Sequence, residues 1–481
     1  MRPPSLAAAL VLSLLPACWE QEPDPVAFDF VERLPRAGSV TFGALAGSAG
    51  APFGPASVRT PRRPHVFIYL VDTLRVDHLG CYGYRKPVSP HIDAFAREAS
   101  VFRGVAPSSW TKASVASLFT GLSPIAHGAQ DRGDTLTSDA TTLAELLGAA
   151  GYRTYALYAN TWVSEAFGLD QGFGERRLLI GPSDRLNRAL FGWLGNTRRD
   201  DRLFVYVHTI DPHAPYAPAA GFRARFAAAP RPLERASITW LEDLATRGRR
   251  GEAIPASLVE EITALYDAEI AFNDLQFGLF VEELKRRSLY DDSLILFTSD
   301  HGEEFFEHGG VSHGQTLYAE VLDIPIIIKW PRGAAAPAGS RGSPARLIDV
   351  LPTILDCLGL PRPSGVEGRS LLKPPPGNGP AGGGRVFSYL DLDTRQVQSV
   401  TEGAWKLIRR GAEDETQPTL ELYDLERGER ADLRQRHPVM AAYLLSQLEN
   451  EAARHPRRPP PPQAVLSDEV TEEVRALGYL Q

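Results

Sequence analysis

Hydrophobic positions along this chain fall into two patterns. Three short runs are apolar at every position: 66–71 (VFIYLV), 203–207 (LFVYV) and 294–297 (LILF). An unbroken apolar run of this length is what a strand buried on both faces of a sheet requires. Each run gives way at once to polar residues: Asp72 after the first, His208 with Asp211 and His213 after the second, Asp300 and His301 after the third. In open α/β sheets ligands sit at the carboxyl ends of the strands, so these polar ends are expected to converge.

Between the runs, apolar residues recur at helical spacing. Residues 141–149 (TTLAELLGA) carry Leu143, Leu146 and Leu147, with Gly151 as a stop. Residues 257–286 form a longer amphipathic stretch with Leu, Ile, Phe and Tyr at three- and four-residue intervals. Alternating strands and helices predict an α/β domain with a mostly parallel central sheet flanked by helices. The Pro/Gly-rich segment 374–384 marks a boundary, followed by strand-like pieces at 405–408 and 420–423 and a helix near 440–449. The expected plan is therefore a catalytic-sized domain over 65–373 and a linker with a small α+β C-terminal subdomain over 374–481, with no internal repeat.

Composition narrows the function classes. With 481 residues, 43% of them hydrophobic, the chain can bury a large core. A net charge of −8 without a dense Lys/Arg stripe leaves no polyanion-binding footprint, so no nucleic-acid partner is expected. The three cysteines, Cys18, Cys81 and Cys357, have no paired spacing, and Cys81 and Cys357 read as inert thiols. At the N-terminus, Arg2 precedes an apolar run over 6–15 that ends in Pro16 and Ala17 before Cys18. That run is shorter than the roughly 20 residues a membrane-spanning helix needs. The pattern resembles the lipobox of bacterial lipoproteins. It implies a signal peptide over 1–17, lipidation of Cys18, a Pro/Gly/Ala-rich tether over 18–64, and a membrane contact through the lipid on the periplasmic face of the cell envelope. Trp19 rather than an aspartate follows the cysteine, which favours the outer membrane.

The strand ends supply candidate chemistry. Asp72, Asp300 and His301 form most of a coordination shell for a divalent cation. A hydroxyl is offered by Thr111 in SSWTKASVASLFTG (108–121), just before a short helical pattern that ends at Gly121. A helix N-terminus attracts an anionic ester, and a metal on the same oxygen would make it a nucleophile.

With these segments in order, the chain resembles the sulfatase family of the alkaline phosphatase superfamily. The resemblance rests on VFIYLVDTLRVDHLGCYGY (66–84), the helix after Thr111, DPHAPY (211–216), TSDHGEEFFEHGGVSHGQ (298–315) and LIDVLPTILDCLGLP (347–361). ELYDLERGERADL (421–433) is similar to the family's C-terminal subdomain. It implies a sulfatase-like hydrolase of sulfate or phosphate esters carried by sulfated or phosphorylated sugars, lipids or nucleotides. Two departures matter. The family's CxPSR motif, whose cysteine becomes formylglycine, reads TKASV here, with Thr111 at the nucleophile position and Val115 in place of the arginine. The family's Lys-and-His segment is replaced by YALYANTWVS (155–164), which carries Asn160.

The set Asp72, Thr111, Asp300 and His301 instead resembles the metal site of phosphoethanolamine transferases and nucleotide phosphodiesterases. Its imidazole favours Zn²⁺ or Mn²⁺ over Ca²⁺. The resemblance assigns His213 and His313 to the transferring oxyanion or the leaving group; alternatively Asp211, His213 and His313 bind a second metal. His208 reads as a structural histidine within the loop, Lys112 as an ordinary exposed lysine, and Arg75 as a support for the Asp72 loop. Glu303, Glu304 and Glu307 read as a solvated or outlying acidic run, and Trp110 and Trp405 as core. Two other functions compete with hydrolysis: transfer of the group to another acceptor, and non-catalytic binding by a surface-tethered protein of the same fold.

Overall fold

The computed structural model describes residues 63–226, 236–334, 337, 344–372, 384–411, 418–455, 462–464 and 471. The expected signal peptide, Cys18 and almost all of the tether lie outside them, as does most of the 374–384 boundary.

The three apolar runs form the centre of an eight-stranded sheet. In chain order its strands are β1 (His65–Val71), β2 (Ser100–Val105), β3 (Arg153–Tyr158), β4 (Glu175–Leu178), β5 (Leu203–Thr209) and β6 (Ser293–Thr298). A small hairpin follows, β7 (Glu304–Phe305) with β8 (Val311–Ser312), and then β9 (Asp323–Lys329) and β10 (Ala345–Arg346) complete the sheet. The spatial order is β10-β2-β9-β6-β1-β5-β3-β4. β1 lies parallel between β5 and β6, with Val66 opposite Phe204 and Leu294. Only β9 runs against its neighbours, β2 and β6. Parallel strands covered on both faces explain the unbroken apolar runs: side chains alternate between two layers, and both layers are dry. One layer buries Val66, Ile68, Phe204 and Leu296 against the helix Thr111–Thr120; the other buries Phe67, Tyr69, Val205 and Phe297 against the helix Ala256–Arg286.

The helix expected at 141–149 spans Leu143–Ala149. Thr142 caps it, with Glu145 reaching back to complete a capping box, and Gly151 beyond it takes a left-handed φ of 85°. The 257–286 pattern becomes the 31-residue helix Ala256–Arg286. After the boundary, β11 (Val386–Leu392), β12 (Arg395–Glu402), β13 (Trp405–Arg410) and β14 (Thr419–Asp424) form an antiparallel meander, backed by the helix Pro438–Arg454. One face of this meander joins the main core, since Leu390, Val397, Ile408 and Tyr423 pack in the same cluster as the β1 layer. Among the described residues, no helix is long and apolar enough to cross a membrane.

Candidate active site

The carboxyl ends of β1, β5 and β6 meet at one point, because adjacent parallel strands end at the same edge of a sheet. Asp72 follows β1, Asp300 and His301 follow β6, and His208 is the penultimate residue of β5. All four are fully buried. The ligand atoms of Asp72, His208 and Asp300 lie within 4.8 Å of one another, a spacing at which one cation can be shared. His301 Nε2 stands 3.4 Å from Asp300 Oδ2 and 4.0 Å from Asp72 Oδ1. Its other ring nitrogen faces the Gly302 carbonyl at 3.0 Å. A carbonyl can only accept, so Nδ1 carries the proton and a neutral His301 turns its Nε2 lone pair toward the carboxylates.

Asp72 Oδ1 and Asp300 Oδ2 are buried without a hydrogen-bond partner. Orphaned carboxylate oxygens are costly in a protein interior unless a positive charge answers them. The remaining oxygens are held. Asp72 Oδ2 accepts from Asn160 Nδ2 at 2.6 Å and lies 3.0 Å from His208 Nε2; Asp300 Oδ1 accepts from the Thr73 and His301 amides. Burial would raise the Asp72 pKa, yet the His208 hydrogen bond and the neighbouring imidazoles hold it well below the usual range. Burial and the Asp72 charge push Asp300 up. Two carboxyls forced apart in this way have the electrostatics of a site that a cation would satisfy.

The helix Thr111–Thr120 brings a hydroxyl to this cluster. Thr111 is fully buried, and its Oγ1 lies 3.1 Å from His301 Nε2. The preceding residue is Trp110, which offers no capping oxygen, so the first-turn N–H groups are not taken by a cap. Gly121, at φ 68°, ends the helix in the left-handed conformation.

His213 and His313 face each other with ring centroids 5.0 Å apart, and His313 lies 4.4 Å from the His301 ring. Burial holds both below the usual histidine pKa, His313 at about 3, where proximity to His301 adds to the effect. His213 Nδ1 meets the Ala214 carbonyl, so a neutral His213 presents Nε2 as a base or ligand rather than a donor. His313 Nδ1 lies 2.9 Å from Glu303 Oε1. The structure does not bring Asp211 into this group as a ligand. Its Oδ2 accepts from the Ser183 amide at 2.9 Å, and the Asp211, His213 and His313 trio is not among the convergent ligand groups of the described residues.

Several sequence readings change. His208 belongs to a strand rather than a loop, and its Nε2 joins the carboxylates while Tyr206 Oη fixes Nδ1 at 2.8 Å. Lys112 is buried, not exposed: Nζ donates to the carbonyls of Asp131, Arg132 and Asp134, so it ties down a loop and does not enter the site. Glu303 is fully buried rather than solvated; it accepts from Tyr216 Oη at 2.9 Å and backs His313, and burial raises its carboxyl to about 7. Arg75 does brace the Asp72 loop, bonding Asp77, the Glu303 carbonyl and Glu307.

Residues 64–360 match the family model described as Sulfatase. An ulvan-active sulfatase of Formosa agariphila is 25% identical over 353 residues, which cover 65% of this chain and 65% of that protein. The multifunctional alkaline phosphatase superfamily protein PehA of Trinickia caryophylli is 30% identical over 40% of this chain and 41% of its own length. The chain thus spans about two thirds or less of these two relatives. Among solved structures, the phosphonate monoester hydrolase of Agrobacterium radiobacter superposes with a TM-score of 0.68 at 20% identity, covering 82% of this chain and 96% of its own. A protein in complex with its substrate D-glucosamine-2-N,6-O-disulfate superposes at 0.67 with 21% identity, covering 83% of this chain and 99% of its own. These two likenesses establish the fold.

Proposed function

This chain belongs to the sulfatase family, and from that premise we propose that it is a metal-dependent hydrolase of anionic esters, with Thr111 as nucleophile. One observation carries the reading: a buried hydroxyl at a helix start lies 3.1 Å from His301 Nε2, beside two carboxylates that each keep an orphaned oxygen. The relatives named for ulvan, for a disulfated glucosamine and for phosphonate monoesters support an anionic ester as the substrate class.

The donor set fits a divalent cation held by Asp72, Asp300 and His301, with Thr111 completing the shell and His208 within reach. Its imidazoles favour Zn²⁺ or Mn²⁺ over Ca²⁺. Such an ion lowers the pKa of a hydroxyl and offsets charge on the transferring group. The protein's own groups do the rest. Thr111 Oγ, its proton released to solvent, forms a bond to the phosphorus or sulfur centre as the bond to the leaving oxygen breaks, and that oxygen departs with the electron pair. A protonated Glu303, its carboxyl raised to about 7, donates to Nδ1 of a neutral His313, which then carries its proton on Nε2 and gives it to the leaving oxygen. His213 offers a lone pair on the opposite ring. Threonine has no second hydroxyl with which to expel the group, so water must attack the covalent intermediate. A phosphoryl or phosphonyl group suits that step better than a sulfuryl group.

The test compares nitrophenyl sulfate, phosphate, phosphodiester and phosphonate substrates. Phosphorus esters should turn over faster than sulfate, and Thr111→Ala should lower kcat by at least about 10²-fold, the scale of single catalytic groups. Turnover within a few-fold of wild type, with metal still bound, would mean that water attacks directly. Location belongs to the same proposal: the Cys18 thiol carries the lipid, and two chains suffice for a stable anchor. Radiolabelled palmitate should enter the wild-type protein and not Cys18→Ser; an equally labelled, membrane-bound variant would sink the idea.

A further inference from the structure

A second convergence of ligand atoms lies where the catalytic domain meets the C-terminal meander. His308 comes from the turn between β7 and β8, Glu320 from the helical turn Ala319–Leu322, and Glu429 from the loop after β14. One ligand atom from each lies within 4.8 Å of the other two. Both carboxyl side chains are more than nine-tenths buried, at 7% and 4% exposure. Glu320 Oε1 has no hydrogen-bond partner and points at the cluster, 3.5 Å from His308 Nε2. The other partners are accounted for. Glu429 Oε2 accepts from the Ala319 amide, Glu429 Oε1 faces Lys406 Nζ at 2.6 Å, and the His308 ring stacks on Tyr318.

Charge bookkeeping leaves one side unanswered. Lys406 is matched by Glu429, while Glu320 Oε1 faces the His308 imidazole, whose pKa burial lowers. Burial together with the charges of Glu307, Glu304 and Glu429 drives the Glu320 carboxyl up to about 8. Two carboxylate oxygens and an imidazole nitrogen drawn from three segments form a mixed N/O donor set suited to Zn²⁺ or Mn²⁺. We propose that His308, Glu320 and Glu429 form a second divalent-cation site, separate from the Asp72 cluster, that clips the C-terminal meander to the catalytic domain. The orphaned Glu320 oxygen and the convergence across the domain junction carry this inference.

The two sites are told apart by stoichiometry. Full-length protein stripped with chelator is titrated with Zn²⁺ or Mn²⁺ and followed by calorimetry and elemental analysis. Wild type should bind two equivalents. Asp72→Asn/Asp300→Asn should keep one equivalent, the one described here, and this measurement leaves the junction unaltered. Glu320→Gln/Glu429→Gln should keep only the other, and its unfolding midpoint should no longer rise with added metal, whereas the Asp72→Asn/Asp300→Asn protein should gain about 2–4 °C at saturating metal. No binding by the Asp72→Asn/Asp300→Asn protein, or two equivalents in the Glu320→Gln/Glu429→Gln protein, would overturn the proposal while leaving the catalytic reading intact.

Discussion

At the scale of single residues, burial decides roles that residue type alone leaves open. Asp72, Asp300 and His301 were legible because each lies at or just past the carboxyl end of an apolar run. His208 follows its apolar run just as directly, but a lone histidine there reads equally well as structural, and it is the parallel register setting Leu70 opposite His208 that shows it beside Asp72. Lys112 was misread because the three carbonyls that surround it come from a loop 19 to 22 residues further on; for Glu303 the sequence left solvated and outlying roles open, and the Tyr216 hydroxyl that helps decide between them comes from another segment. His208→Gln should weaken metal binding about 10–100-fold, the usual cost of losing a group that ligates or orients a ligand. Calorimetric titration of the stripped protein with Zn²⁺ checks this, and an unchanged affinity would return His208 to a purely structural role.

At the scale of elements, the long helix Ala256–Arg286 does more than cover the sheet. Its Asp274 accepts from the His91 and Ile92 amides, capping the helix Pro90–Ala96 from another element, and burial outweighs those two bonds to push its carboxyl up to about 8. In the unfolded chain an aspartate titrates near 3.9. Between about pH 4 and pH 8 the folded protein therefore holds a proton that the unfolded chain has released, and stability falls as pH rises across that window. Asp274→Asn keeps an acceptor for the cap but removes the titration. Denaturant unfolding at pH 5 and pH 8 should show a smaller loss in the variant; equal losses would mean that the carboxyl is ionised throughout. The sequence showed this helix by its periodicity, yet a single buried aspartate on its apolar side carried no mark of a capping role.

For the whole molecule, the sequence showed the layered α/β plan and the position of the C-terminal meander, but not their shared core. β9 escaped notice because Pro325 interrupts its apolar run, and β2 because Arg103 does. The meander packs Leu390, Val397, Ile408 and Tyr423 into the catalytic core, and the Tyr389 amide donates to the Pro107 carbonyl just ahead of the helix Thr111–Thr120. A chain ending at residue 373 would expose that apolar face, and contiguous exposed apolar surface promotes association. The truncated protein should therefore be recovered as aggregate, without a cooperative unfolding transition. A soluble, monomeric fragment by size-exclusion chromatography would show the two parts to be independent.

β1 holds the middle of the sheet although it comes earliest in the chain. Its neighbours arrive late: Val66 pairs with Phe204 and with Leu294, so 138 and then 228 residues must follow before either edge is covered. At roughly 5–20 residues per second of synthesis, β1 waits on the order of 10–45 s for both partners. Through that interval the emerging polypeptide carries an all-apolar strand with open edges, an aggregation hazard. Nothing in the catalytic cluster can exist before the wait ends, since Asp72 meets Asp300 only when β6 has docked. Folding of this chain therefore requires that its first described strand stay unpaired yet unaggregated until β6 arrives.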